Sequence, residues 1–177
     1  MDLRKGQIIL TGVESSGKST LSAMLAKHTG WAHVKEFARY DPKVIAGQHE
    51  LADLTRLLNE QQATADDHRK TGPVICDTGA LVLSIWSEVR FGQPLQGARR
   101  IAESASIYLL LAPDIPWESD PLRASPNKQE REGLHARYVQ RLTEWNLPHA
   151  VIRGNALEGR FHQAIGALKV RGFDISE

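Results

Sequence analysis

Near the amino terminus the residues Gly12-Val13-Glu14-Ser15-Ser16-Gly17-Lys18-Ser19 fit the pattern G-x-x-x-x-G-K-[ST]. Residues of these types at this spacing can cradle a phosphate chain. Glycines let the backbone fold tightly, so that successive N–H groups converge on phosphate oxygens. A helix beginning there adds its positive end. Lys18 would reach the β- and γ-phosphates, and the Ser19 hydroxyl would ligate Mg²⁺. Gly12, Glu14, Ser15, Ser16, Gly17, Lys18, Ser19 and Thr20 are therefore the expected nucleotide-binding residues, with ATP and Mg²⁺ as the cofactors.

The surroundings fit as well as the motif. Gln7-Ile8-Ile9-Leu10-Thr11 is an apolar run of the length of a buried strand, and Leu21, Met24, Leu25 and His28 follow at helical spacing. Further on, Trp31–Glu36, Val74–Asp77, Ile107–Leu111 and Pro148–Ile152 read as strands. Between them lie helices over 47–70, 80–90, 98–104 and 130–145, with a last one over 157–170. Gly30 is placed to end the first helix, and Asp41-Pro42 breaks the chain after the second strand. Strand and helix alternate throughout, which implies right-handed crossovers and one parallel sheet covered on both faces. The expected fold is a nucleotide-kinase-like P-loop nucleoside triphosphate hydrolase domain with five parallel strands, spanning residues 1–177, with a short lid at about 117–132.

Ligands of such sheets collect at the carboxyl ends of the strands. Three of those ends carry acids: Glu36, Asp77 and Asp114. Asp77 suits the magnesium side of the site, opposite Ser19, holding the ion directly or through water. It equally suits accepting hydrogen bonds from the first amides of the next helix. Glu36 suits the carboxylate that a small-molecule kinase sets against the accepting hydroxyl, to orient it and take its proton. Its plainer role is a surface glutamate between Lys35 and Arg39. Which of Glu36 and Asp77 acts as base is left open. Tyr40 and Trp117 could wall a planar ring. Arg123, then Arg131, are the cations expected to close over the phosphates, where charge spreads over three oxygens in the transition state. Arg153, after the last strand, lies where the loop of such sheets meets adenine.

Composition excludes several other classes. With 22 Lys and Arg against 21 Asp and Glu, the net charge is +1, which gives no general case for binding nucleic acid. The single cysteine, Cys76, excludes an internal disulfide and a thiolate zinc site, and its apolar setting points to a buried, reduced thiol. Seven histidines show no metal-ligand spacing, and no G-x-S-x-G marks a serine nucleophile. No run approaches the roughly 18 apolar residues of a membrane span, and no apolar signal precedes the first strand. The expectation is a soluble, cytoplasmic protein acting on a small, nucleoside-like molecule.

Several stretches recur together in one family. They are the loop Gly12–Thr20, Glu36-Phe37-Ala38-Arg39-Tyr40, Asp77-Thr78, Ile85-Trp86-Ser87, Phe91-Gly92 and Leu110-Leu111-Ala112-Pro113-Asp114-Ile115-Pro116-Trp117, then Asp120 and Leu122-Arg123. In that order they resemble the nicotinamide riboside kinase domain of the bifunctional NAD-biosynthesis regulator, within the wider group of AAA-type ATPases. The resemblance runs from about Gln7 to Gly154. It implies transfer of the ATP γ-phosphoryl group to the 5′-hydroxyl of nicotinamide riboside. It also implies that Glu36, Arg39, Tyr40, Asp114 and Trp117 line the riboside pocket, that Asp77 takes the magnesium role and that Arg123 belongs to the lid. Two departures stand out. Gly79 replaces the second aspartate of the family's Asp-Thr-Asp, and the adenylyltransferase domain of the bifunctional protein is missing from the chain. A kinase of another hydroxyl-bearing metabolite, or a P-loop ATPase acting as a nucleotide-dependent switch, are the alternative readings.

Overall fold

A computed structural model describes residues 2–116 and 127–175. Its centre is a five-stranded parallel sheet. The strands are β1 (Gln7–Thr11), β2 (Ala32–Val34), β3 (Val74–Asp77), β4 (Ile107–Leu111) and β5 (His149–Ile152), in the spatial order β2-β3-β1-β4-β5. The helices are α1 (Lys18–Thr29), α2 (Pro42–Ile45), α3 (Leu51–His68), α4 (Ala80–Phe91), α5 (Ala98–Ala102), α6 (Lys128–Glu144) and α7 (Leu157–Arg171).

Near-continuous apolar strands are what a sheet covered on both faces requires. Alternate residues go to opposite sides. Ile8, Leu10, Ile75, Ile107, Leu109 and Leu111 pack with α1 and α7 residues such as Leu21, Leu25 and Leu168. Ile9, Cys76, Tyr108 and Leu110 pack on the other face with Leu54 and Leu58 of α3, Leu81 of α4 and Leu142 of α6. Cys76 is buried and unbridged, and burial pushes its thiol up to about 12, so it stays protonated. No helix among the described residues is long and apolar enough to cross a membrane.

Parallel pairing fixes where the strand ends stand. β1 lies between β3 and β4, with Leu10 opposite Asp77 and Thr11 opposite Leu110. The chain after β1 therefore emerges in the middle of one edge of the sheet, and crosses from one half of the sheet to the other only after β3. Such a reversal point is where parallel sheets bind ligands.

The second strand is shorter than its sequence promises. Pairing with β3 spans Ala32, His33 and Val34, and the chain turns into a 3-10 segment at Phe37–Tyr40 whose N-cap is Glu36. Asp41-Pro42, expected as a break, is the start of α2. The Asp41 carboxylate accepts from the amides of Lys43 and Val44, and Pro42 sits where a helix needs no N–H donor. Gly30 ends α1 in a left-handed conformation, its N–H donating to the Ala26 carbonyl.

The sheet centre should dominate stability. Leu109 is fully buried between two neighbouring strands, whereas Val170 is 90% exposed. In chemical denaturation Leu109→Ala should cost about 2–5 kcal/mol. Val170→Ala should stay within about 0.5 kcal/mol of the parent.

Candidate functional site

Five strand ends meet along one edge, and the loop after β1 occupies its middle. Gly12 has φ +128°, and a Cβ there would meet the Leu111 carbonyl oxygen at 2.7 Å. Only glycine lets the turn lie this close to β4. Ser15 (φ 55°) and Gly17 (φ 85°) are also left-handed, and such alternation turns consecutive amides toward one centre. No backbone carbonyl among the described residues accepts from the amides of Ser16 or Gly17. Unpaired, converging donors at the start of a helix are an anion site.

Lys18 lies under this loop. Its Nζ donates to the carbonyls of Gly12 (3.0 Å) and Val13 (2.8 Å). Burial pushes its ammonium below the ordinary lysine range, opposed by the carboxylates of Glu36, Asp77 and Glu14. Those carboxylates arrive from three separate segments. A single buried cation therefore faces three acids, an arrangement suited to handling phosphate charge.

Glu36 accepts from Arg39 Nε at 2.9 Å. Burial raises its pKa, Asp77 adds to the rise, and Lys18 and Arg39 oppose it. Asp77 is 3% exposed, and its Oδ1 has no hydrogen-bond partner among the described residues. Asp77 is not the N-cap of α4, which is Gly79, and no amide of that helix reaches Asp77 Oδ1. A buried carboxylate oxygen without a donor costs folding free energy unless a cation completes it. Ser19, at the start of α1, is exposed and offers its hydroxyl. Asp77 and Ser19 are the residues that could hold a Mg²⁺ ion, since carboxylate and hydroxyl oxygens are ligands of the kind it takes.

A brace holds the Glu36 and Asp77 ends in register. Gln61 of α3 is buried, accepts from Phe37 N (3.2 Å) and donates to the Thr78 carbonyl (3.1 Å). Thr78 itself has φ 74°, a costly conformation for a β-branched residue.

Beside the loop opens a cavity of about 550 Å³. That is within the usual size of a small-molecule site. Gly12, Glu14, Lys18, Glu36, Arg39 and Arg131 line it, so much of the expected donor and acceptor set shares one space. Its other wall comes from Val82, Ile85, Trp86 and Val89 of α4, His49 and Arg90 beside them, and Leu134 and Tyr138 of α6, and of these only Ile85 and Trp86 belong to the stretches that carry the resemblance. Their spacing on α4 is a helical stripe, a signal identical to that of a core face. Glu88 and Arg141, paired through both carboxylate oxygens at 2.5 and 2.9 Å, tie α4 to α6.

Other expected residues stand elsewhere. Tyr40 is 64% exposed and outside the lining. Asp114 is exposed too, and its carboxylate accepts from Gly154 N at 2.7 Å, joining the β4 and β5 ends. Arg153 is exposed and exchanges backbone hydrogen bonds with Gln163. Arg131, expected as a lid cation at the start of the helix over 130–145, is buried in the first turns of α6 and donates to the Ser15 carbonyl at 3.3 Å. Lys128 to residue 132, the end of the expected lid, belong to that helix, which Asn127 caps. Trp117 and Arg123 lie outside the described residues. At Gly79 the Ile9 side chain stands 3.1–3.2 Å from where a Cβ would be, so the family's larger residue would displace it.

The sequence reading missed Arg160 of α7. It is 2% exposed and donates to three carbonyls: Ser16 (2.6 Å), Ala112 (2.9 Å) and Gly154 (2.5 Å). An arginine in a mixed-charge helix gives no sign of this in the sequence.

Known proteins agree with this architecture. A NadR protein solved in complex with NR is 21% identical, with a TM-score of 0.75, and the match covers 99% of this chain and 55% of that one. A deoxyadenosine kinase from M. mycoides solved with dCMP and dCDP is 16% identical, covering 93% and 99%, with a TM-score of 0.64. A thymidylate kinase from Ehrlichia chaffeensis is 14% identical, covering 92% and 98%, with a TM-score of 0.62. The chain spans about half the length of the NadR chains it matches. No curated protein sequence matches it. At these identities the likeness establishes the P-loop fold shared by nucleoside and nucleotide kinases. The family model described as "AAA domain" matches residues 7–160, and the chain belongs to that family.

Proposed function

We propose that the protein is an ATP-dependent kinase that transfers the γ-phosphoryl group to the 5′-hydroxyl of nicotinamide riboside, giving nicotinamide mononucleotide and ADP. The observation that carries the kinase reading is that Lys18 and Glu36 line one cavity, large enough for a nucleoside, directly beside the phosphate loop. A phosphoryl donor and a hydroxyl acceptor can then meet with water displaced.

In this reading the amides of residues 15–20 and Lys18 hold the donor phosphates. Glu36 accepts the proton of the attacking hydroxyl, and its raised pKa makes it a stronger base than an exposed glutamate. Arg39, hydrogen-bonded to Glu36, keeps that carboxylate oriented. Mg²⁺, held by Ser19 and Asp77, would supply charge neutralisation on the phosphate oxygens. Arg131 holds the loop from the cavity side, and Arg123 keeps its proposed place on the lid.

Nicotinamide riboside is favoured among acceptors by the resemblance over Gln7–Gly154 and by the likeness to NadR bound to NR. The cavity adds chemistry of its own. Trp86 offers an aromatic face, with Glu36 and Glu14 on the same lining, and a cationic ring is attracted to both kinds of group. Trp86 thus takes the part first expected of Tyr40. Gly79, with Ile9 packed against it, favours a second reading, a different nucleoside in a reshaped pocket.

Four outcomes test this. Purified protein with Mg²⁺-ATP and a nucleoside panel, followed by mass spectrometry, should give ADP and phosphorylated nicotinamide riboside. ADP with no phosphorylated acceptor across the panel would refute the kinase reading. Lys18→Ala should lower kcat about 10²–10³-fold. Glu36→Gln should lower it about 10²–10⁴-fold with little change in ATP binding, and an unchanged single-turnover rate would remove Glu36 from the chemistry. The base must be ionised, so turnover should rise with pH through the pKa of Glu36. Burial places that acidic limb above the range of an ordinary glutamate, and Glu36→Gln should abolish the limb.

A further inference from the structure

We propose that Arg160 is a positioning residue of the donor site, acting through the Ser16 carbonyl to aim and polarise the Gly17 amide toward the nucleotide's phosphates. The inference rests on the donor half of the kinase reading and extends it to a residue outside the cavity lining.

The carbonyl of Ser16 and the N–H of Gly17 belong to one planar peptide and point in opposite directions. Arg160 Nη1 donates to that carbonyl at 2.6 Å. The opposite end of the same peptide is the Gly17 N–H, which has no protein acceptor among the described residues. Pulling electron density toward the carbonyl makes this N–H a stronger donor, and charged donors do so more than neutral ones. The bond also prevents the peptide from flipping. Gly17 could flip at little steric cost, since its left-handed φ of 85° is one of several open to it.

The other two donors of Arg160 fix where its guanidinium stands. Nη2 donates to Ala112, just after β4, and Nε to Gly154, just after β5. Asp114 holds Gly154 from the other side through the Gly154 N–H. Three backbone carbonyls from three segments thus define one position for a planar fork, a task lysine cannot reproduce. Arg131 does the equivalent for the preceding peptide, donating to Ser15 at 3.3 Å, but it also lines the cavity. Arg160 does not line it. Its substitution therefore leaves the cavity lining unchanged.

The test compares Arg160→Gln and Arg160→Lys with the parent, using calorimetric binding of ATP and of inorganic tripolyphosphate, both with Mg²⁺. Loss of a charge-assisted hydrogen bond predicts roughly 10-fold or greater weakening for both probes in Arg160→Gln. Arg160→Lys, able to reach one carbonyl, should recover part of it. The KM for the acceptor should be unmoved. A folded Arg160→Gln that binds tripolyphosphate within twofold of the parent would overturn the proposal. Weakening of ATP alone would do the same, because the residue would then act on the nucleoside part of ATP and not on its phosphates. A second measurement needs no variant. In the unaltered protein, saturating ADP should shift both the Gly17 amide and the Arg160 side-chain NMR signals, and a fixed Arg160 signal would refute the coupling. The binding and NMR arms contain no acceptor, so failure to phosphorylate any nucleoside would count against the kinase reading and leave this one standing.

Discussion

The phosphate loop must hold several backbone amides unpaired in a largely buried place. Each such group, without water or a partner, costs about 1–3 kcal/mol. The loop tolerates this because the carbonyls of the same peptides are so well satisfied. Lys18 takes those of Gly12 and Val13, the Ser16 hydroxyl also donates to Val13, and Arg131 and Arg160 take Ser15 and Ser16. Three cations from three helices thus pull on carbonyls, and the amides are left facing the other way. The rest of the edge follows from this arrangement.

Around that loop the sheet acts as a jig. Parallel pairing sets Asp77 beside Leu10, one residue short of the turn, and sends the β4 and β5 ends to the other flank. The two flanks of the loop are therefore separated by topology. Glu36, Asp77 and the cavity lie toward β2 and β3, while Asp114, Gly154 and Arg160 lie toward β4 and β5. Asp114 is outside the cavity lining and fastens Gly154 through the Gly154 N–H.

The cavity's outer wall has a different origin. It is made where α4 and α6 stand apart from the phosphate loop, joined to each other by Glu88 and Arg141. Trp86 and His49, ring centroids 4.7 Å apart, form its aromatic side. An apolar stripe on a helix says that something covers it, but a substrate and a protein core leave the same pattern. Val89 shows the difference, being 58% exposed on a face that spacing alone assigns to the interior.

The sequence by itself determined the strand–loop–helix at the phosphate site, the parallel α/β sheet and the acids at the strand ends. Each of these is local: a motif, a periodicity or a residue that terminates a run. It also located Asp77, because a strand's last residue is legible from its apolar run; Glu36 stands two residues past β2, at the cap of the 3-10 segment. Tertiary structure alone decided which strand ends face one another. It turned Tyr40 outward and Trp86 inward, made Asp41-Pro42 a helix start, and brought Arg160 144 residues along the chain to the carbonyl of Ser16. A hydrogen bond from a side chain to a distant backbone carbonyl leaves no spacing or composition behind it, since every residue has that carbonyl. The phosphate loop could therefore be read from its letters, while the groups that hold it open could be read only from the fold.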